Sequence, residues 1–392
     1  MSKAKNCDVL VIGGGGVGSS IAFWLKQRSK DTNVVVLEKD PAYKQASTVL
    51  SVGGLRQQFS LPENIQLSLF GAEFMKNYKQ YLGDDVNLNF SPNGYLILAS
   101  EAGAEQLTKN SKLQNELGAK NELLVADKLK AKFPWLNTDG LALGCYGLEK
   151  EGWFDPWALL MGFKNKAKES GAHFLNGEVD GFGFDDNECI EKVFYRLPNG
   201  DRQDIKFKKC IIASGAKSGD IGRMARIGRG TGKLRIPIPV EPRKRYVFVF
   251  TTQGQNCPGL ATPLTVDPDG TYFRRDGLGG NFLAGRSPCE NDEPCCDNLD
   301  VDYDYFDTNV WPTLANRIPA FESVKCNHSW AGYYEHNTFD ANEFGHGIQQ
   351  TPAVGRAISE LILDGQFKTI DLTRLGFDRI IDGKPLMEAN IV

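Results

Sequence analysis

The sequence predicts an α/β fold: a parallel-sheet domain for a dinucleotide, assembled from separate segments, with a mainly antiparallel β domain (an α+β insert) placed within it. Three observations carry this. Residues 8–38 read as an apolar run, a glycine cluster, a helical pattern and a second apolar run. A further apolar run, Cys210-Ile211-Ile212, ends in the small residues Ala213-Ser214-Gly215-Ala216, as a buried strand entering a turn does. Helical and strand-like segments alternate over the remaining chain, with enough strand-like sequence for a second sheet. At 392 residues with 41% hydrophobic and 24% charged side chains, two domains are the expectation. A net charge of −4 supplies no basic field for nucleic acid.

The first unit fixes the cofactor class. Gly13 permits a tight turn out of the strand that contains Val9 to Ile12. Gly15, without a Cβ, lets the backbone approach a pyrophosphate, and Gly18 lets the helix pack close to the strand. The N–H groups and dipole of the helix N-terminus then face the phosphates. Glu38 ends the second run twenty residues after Gly18, where a carboxylate accepts hydrogen bonds from ribose hydroxyls and repels a 2′-phosphate. The unit is therefore Rossmann-like and reads against NADP.

Later elements follow in order. Residues 62–82 open with Pro62-Glu63 and show helical spacing, and 87–99 read as two strands around a Pro-Asn-Gly turn. Asp155-Pro156 starts a helix over 156–169. Segments 172–180, 189–196, 203–208, 244–251 and 271–285 are strand-like, and 350–364 is a helix. The expected dinucleotide-binding domain comprises 1–84, 152–232 and 326–392, and the substrate or cap domain 85–151 and 233–325. The basic stretch Arg223 to Arg235 reads as a solvated loop.

Nine scattered cysteines lack any C-x-x-C pair, which fits free thiols in a reducing compartment; their spacing with four histidines matches no zinc template, so no metal is expected. The chain shows no transmembrane segment and no visible secretory signal or presequence.

Beyond the first unit the chain carries Ala46-Ser47-Thr48-x-x-Ser51-x-Gly53-Gly54, then Ala213-Ser214-Gly215-Ala216, Trp330-Ala331-Gly332 and Gly345-His346-Gly347-Ile348. Together these resemble the D-amino-acid oxidase superfamily of FAD enzymes, on its sarcosine and dimethylglycine dehydrogenase side. The runs EGWFDPW, VEPRKRYV, YFRRDGLGGNFLAGRSP and WAGYYEHNTFD further resemble the FAD-dependent oxidoreductase domain-containing proteins linked to assembly of mitochondrial complex I. The resemblance implies a D-amino-acid oxidase-like fold, C–N bond oxidoreductase chemistry and a mitochondrial location. It also implies a small amine or amino-acid substrate, and complex I subunits or assembly intermediates as partners, with peripheral membrane association. A flavin-binding assembly factor without catalysis is the alternative.

By position, the resemblance implies that Gly13, Gly15, Gly18 and Glu38 hold the ADP half of FAD. Ser47 and Thr48 reach the phosphates, and Ser51, Gly53 and Gly54 line the isoalloxazine. Val179 meets the adenine through its backbone, and Ala213 and Gly215 sit near the diphosphate. His346, Gly347 and Ile348 bring a helix N-terminus to the flavin N1–C2=O edge, although His346 reads equally as a plain helix cap.

Three departures stand out. Leu50 occupies the place of the family's flavin-linking histidine, so the FAD is expected to be non-covalent. Tyr334, beside Tyr333, replaces the arginine that clamps a carboxylate in glycine-oxidase-like members. Tyr334 and the strand residues Arg274 and Arg275 are then the substrate-side candidates, with Arg243 and Arg245 behind them; solvent-facing or ion-paired arginines are the competing reading. Finally, Trp330 to Gly345 is short, as though a glycine-proline turn and an apolar strand were absent, which points to a splice variant or gene-model fault.

Overall fold

The structure is a computed structural model that describes residues 6–252, 255–343 and 346–389. Gly345 lies outside the described residues.

The Val-rich strand Asn6–Ile12 is buried along one whole side and pairs in parallel with Val34–Glu38 and with Arg202–Ile212. The helix Gly16–Arg28 joins the first two and packs on the sheet. His173–Asn176 extends the sheet in parallel beyond Val34–Glu38. On the other side Ile190–Arg196 and Glu178–Phe184 add antiparallel strands, giving six in the order 173–176, 34–38, 6–12, 202–212, 190–196, 178–184. The predicted strand over 203–208 and the buried run at Cys210 are one continuous strand.

A second sheet has nine strands, in the order 342–343, 324–337, 240–252, 281–285, 272–276, 264–266, 95–99, 143–147, 121–125. Its pairings are antiparallel except that between 264–266 and 95–99. Only Tyr95–Ala99 is a strand in the segment 87–99 where two strands were expected, because 87–90 runs as loop. The long strand Val324–Asn337 pairs along its length with Val240–Thr252. It therefore lies in this second sheet, although the boundary expected at 326 groups most of it with the dinucleotide-binding segments.

Several hydrophobic clusters hold these layers. Phe23, Leu25, Val34, Val36, Leu159 and Phe163 fill the space between the first sheet and its helices. Phe248, Phe250, Phe273, Phe282 and Phe321 form an aromatic cluster on one face of the second sheet. At roughly 25 cal/mol per Å² of apolar surface removed from water, such fully buried rings dominate the stabilisation. The helix Pro156–Glu169 starts as the sequence predicts: Asp155 accepts from the Ala158 N–H at 3.1 Å and Pro156 sits in the first turn.

The helix Gly347–Asp364 lies across Gly16–Arg28. A Cβ on Gly355 would stand 2.1 Å from Ser20 Oγ, so the two helices touch backbone to backbone there. Pro352 interrupts the ladder of this helix, and its carbonyl accepts from the Trp24 indole at 2.9 Å.

Candidate functional site

The first strand and helix present a backbone cradle. Gly13 has φ +100, and a Cβ there would meet the Ala213 carbonyl oxygen at 2.3 Å; a Cβ on Gly18 would meet the Gly13 carbonyl oxygen at 1.9 Å. No other residue fits either place. Gly15 is different: a Cβ would meet only Thr48 Oγ1, at 3.5 Å, so the space beyond it is open. Glu38 accepts from the Gly14 N–H at 2.7 Å and from the Asp40 N–H at 2.8 Å. Thr48 Oγ1 accepts from the Gly16 N–H at 3.0 Å, and Ile348 comes to the same spot, 3.3 Å from a Cβ on Gly16. The cradle thus joins Gly13 to Gly18, Glu38, Thr48, Ala213 and Ile348, which lie far apart in the chain. Val179 lies on the edge strand of the six-stranded sheet, and the neighbouring Gly177 N–H donates to the Glu38 carbonyl at 2.9 Å.

Ser47 is turned toward the second sheet. Its hydroxyl donates to Glu335 at 2.8 Å, and Gly215 (φ +56) lies beside the same carboxylate. Burial pushes the Glu335 carboxyl up, against hydrogen bonds from Ser47 and from the Ala216 N–H. Sequence reading missed Glu335, since a single carboxylate in a strand carries no periodic mark.

Between the cradle and the second sheet lies a small recess. Ser47, Leu50, Ser51 and Val52 line one side, and Arg245, Tyr272, Tyr333 and Tyr334 line the other. Gly53, at φ +72, has no room for a Cβ against the Phe154 carbonyl, and its N–H donates to Ser51 Oγ at 3.1 Å. Gly54 faces the Tyr95 hydroxyl, 3.0 Å from where a Cβ would stand. Leu50 packs on Gly332, and its carbonyl accepts from the Trp330 indole at 2.9 Å. Burial raises the Tyr334 phenol, so it stays a donor at neutral pH.

The arginines divide. Arg275 points to the opposite face of its strand, over the Phe282 ring at 4.7 Å, and so away from the recess. Arg274 is on the recess face but spent on the fold: it donates to the carbonyls of Val52 at 3.0 Å and Arg275 at 2.7 Å, and it lies 5.5 Å from the Trp153 ring. Arg245 reaches the recess wall, held in a bidentate pair with Glu293 at 2.8 and 2.7 Å. Arg243 is more exposed and lies 3.7 Å from Glu241.

Behind the recess is a buried network absent from the sequence reading. Arg56 donates to His346 Nε2 at 3.0 Å and lies 5.0 Å from the Phe59 ring and 5.5 Å from Tyr95. Burial and the Arg56 charge hold His346 well below the usual histidine range, so it is neutral and accepts. His346 is also the residue just before the helix Gly347–Asp364, and its side chain makes no capping hydrogen bond there. Glu151 accepts from the Gln57 N–H at 2.7 Å and Gln58 Nε2 at 2.8 Å, and burial pushes it up to about 7 despite Arg56 nearby. Arg56 and the two glutamines directly follow Gly53-Gly54, which is the signal that could have found them.

The family model of DAO, the FAD-dependent oxidoreductases, matches residues 8–361. The chain belongs to the DAO family. A Drosophila melanogaster FAD-dependent oxidoreductase domain-containing protein 1 homolog is 50% identical over 421 residues, covering 99% of this chain and 81% of that protein. That match is longer than the 392 residues of the chain, so the relative carries internal residues absent here. Among solved structures, L-proline dehydrogenase from P. horikoshii superposes with TM-score 0.82 at 26% identity, over 98% of this chain and all of that one. Glycine oxidase from Geobacillus kaustophilus superposes with TM-score 0.76 at 19% identity, over 95% and 99%, and supports the same fold.

The residues of this DAO-family chain fit FAD. The space at Gly15 is open, and a Cβ on Gly347 would meet nothing within 4 Å at the start of the last long helix. Gly13, Gly15, Glu38 and Thr48 are partly exposed. No helix among the described residues is long and apolar enough to cross a membrane, and no His, Cys, Asp and Glu cluster among them could hold a metal.

Proposed function

We propose that this protein uses FAD to oxidise a C–N bond of a small amine or amino acid. The observation that carries the reading is the recess that opens between the cradle residues Ser47 to Val52 and the tyrosine-lined face of the second sheet. FAD, when bound, supplies the two-electron acceptor. The chain's part is placement and electrostatics. Gly13 to Gly18, Glu38, Ser47, Thr48, Ala213 and Gly215 hold the ADP half, and Val179 meets the adenine. Ser51, Gly53, Gly54 and the helix start at His346, Gly347 and Ile348 hold the flavin half. Tyr334 offers an aromatic face to a substrate cation, and Arg245 supplies a positive charge at the recess wall for a carboxylate. Leu50 has no nucleophilic atom, so the flavin is held without a covalent bond.

A second reading has support of its own. Arg245 is already satisfied by Glu293 and Arg274 by backbone carbonyls, so the substrate wall offers no ready carboxylate clamp. The resemblance of the distinctive runs then supports a role in assembly of mitochondrial complex I, with the flavin serving structure or regulation rather than turnover. Both readings place the protein in mitochondria.

Visible spectroscopy of the purified protein tests them. Flavin bands that bleach anaerobically with an N-methyl amine or amino acid are expected, with the flavin released into the supernatant by acid precipitation. A flavin that none of these substrates reduces, in protein that co-purifies with complex I intermediates, would transfer the case to the second reading. Absence of flavin bands after reconstitution with FAD would sink both.

A further inference from the structure

Tyr43 lies in the loop between the strand Val34–Glu38 and the short helix Ser47–Leu50. It is 1% exposed, yet its hydroxyl has no hydrogen-bond partner among the described residues. A buried, unsatisfied hydroxyl is destabilising. Its backbone is also left-handed, φ 55, which a bulky residue adopts only at a cost. Phenylalanine would fill the same space without the orphaned hydroxyl, and no hydrogen bond among the described residues offsets the burial of that hydroxyl.

The loop holds this ring firmly. The Tyr43 N–H donates to the Asp40 carbonyl at 2.9 Å, and the Ala46 N–H donates to the Tyr43 carbonyl at 3.1 Å. Lys164 Nζ lies 4.4 Å from the ring centre, and Trp157 meets it edge-on at 6.3 Å. The hydroxyl is aimed at the phosphate turn. It is 3.4 Å from the point where a Cβ on Gly14 would stand, and Glu38 Oε2 is 3.4 Å from the same point. Burial, with the charges of Glu38 and Asp40, pushes the phenol up, so it is a donor throughout the neutral range.

We propose that the Tyr43 hydroxyl is a cofactor-contacting donor, reserved for the adenosine diphosphate half of the dinucleotide where that half lies against Gly14 and Glu38. This rests on the FAD reading above and extends it to a residue outside the glycine fingerprint. The fold accepts a strained backbone and an unpaired hydroxyl in the free protein, and the ligand supplies the missing acceptor. The same donor serves bare ADP, because the contact lies on the nucleotide side.

The test is Y43F, read without turnover. FAD and ADP are titrated into wild type and variant by calorimetry, and both proteins are melted without nucleotide. The variant is expected to melt at or above the wild-type temperature when free, while binding both FAD and ADP roughly threefold to tenfold more weakly, the worth of one hydrogen bond. Equal ADP affinities would overturn the assignment and leave the FAD reading standing. So would a loss for FAD with none for ADP, or a variant destabilised when free, which marks a structural tyrosine. A wild type that binds neither nucleotide would remove the FAD reading, and this assignment with it.

Discussion

The two sides of the recess are built differently. The cradle side is made of backbone: Gly13, Gly15, Gly18 and Gly53 matter for what they lack, and the N–H groups of Gly14 and Gly16 hold Glu38 and Thr48 in place. The sheet side is made of side chains, Tyr272, Tyr333, Tyr334 and Arg245, brought together from strands far apart in sequence. A backbone site tolerates almost no substitution and varies little in chemistry. A side-chain wall can be rewritten one residue at a time. The cradle therefore tells which cofactor class is held, and the wall tells what is done with it.

The comparison can be broken most directly at Gly18. With the Gly13 carbonyl 1.9 Å from an added Cβ, Gly18→Val is expected to abolish FAD retention through gel filtration and to destabilise the fold by about 3 kcal/mol in urea. A stable G18V protein that keeps its flavin would show that the cradle is more plastic than its geometry allows.

Glu151 comes next, behind the wall. Its carboxyl is raised to about 7 by burial, above the ordinary 4.5, so it is neutral in folded and unfolded chains below about 4.5 and opposes folding as pH rises through 7. Wild type is expected to lose on the order of 3 kcal/mol of stability from this group between pH 4.5 and 7. E151Q should flatten that part of the melting-temperature profile, and an unchanged slope would show that Glu151 is not the titrating group.

On the wall itself, Arg245→Met leaves Glu293 without its bidentate partner. A loss of about 2 kcal/mol is expected, less than for a fully buried pair because Glu293 keeps some exposure. FAD affinity should be nearly unchanged, and a large loss of FAD would mean that cradle and wall are not separable. Tyr334→Phe is the mildest change. It should leave FAD affinity alone and raise the half-saturating concentration of any substrate that bleaches the flavin by roughly fivefold, about 1 kcal/mol. Unaltered saturation would remove the Tyr334 hydroxyl from substrate binding.

The same contrast explains what could be read from the sequence. Gly13-x-Gly15-x-x-Gly18 and Glu38 are local, and their spacing alone names a strand, a turn and a helix. Asp155-Pro156 likewise marks a helix start that the structure has. Arg275 was misleading because neighbouring residues of a strand face opposite ways, and only the register of Tyr272–Asp276 shows that Arg274 and Arg275 part company. Glu335, Glu151 and Arg56 were invisible for a related reason. Each gains its environment from segments remote in the chain, and no spacing encodes that. Tyr43 is subtler, since its position in a loop after Glu38 gives no hint of burial or of a left-handed backbone.

The crossing of the two long helices at Ser20 and Gly355 has one more consequence. One helix begins at the phosphate turn, the other at His346, beside the expected ring edge. Pinned backbone to backbone, they work as the arms of a calliper whose opening is set far from the jaws. The distance between the two helix starts is then set at this crossing and not by the chain that leads up to His346.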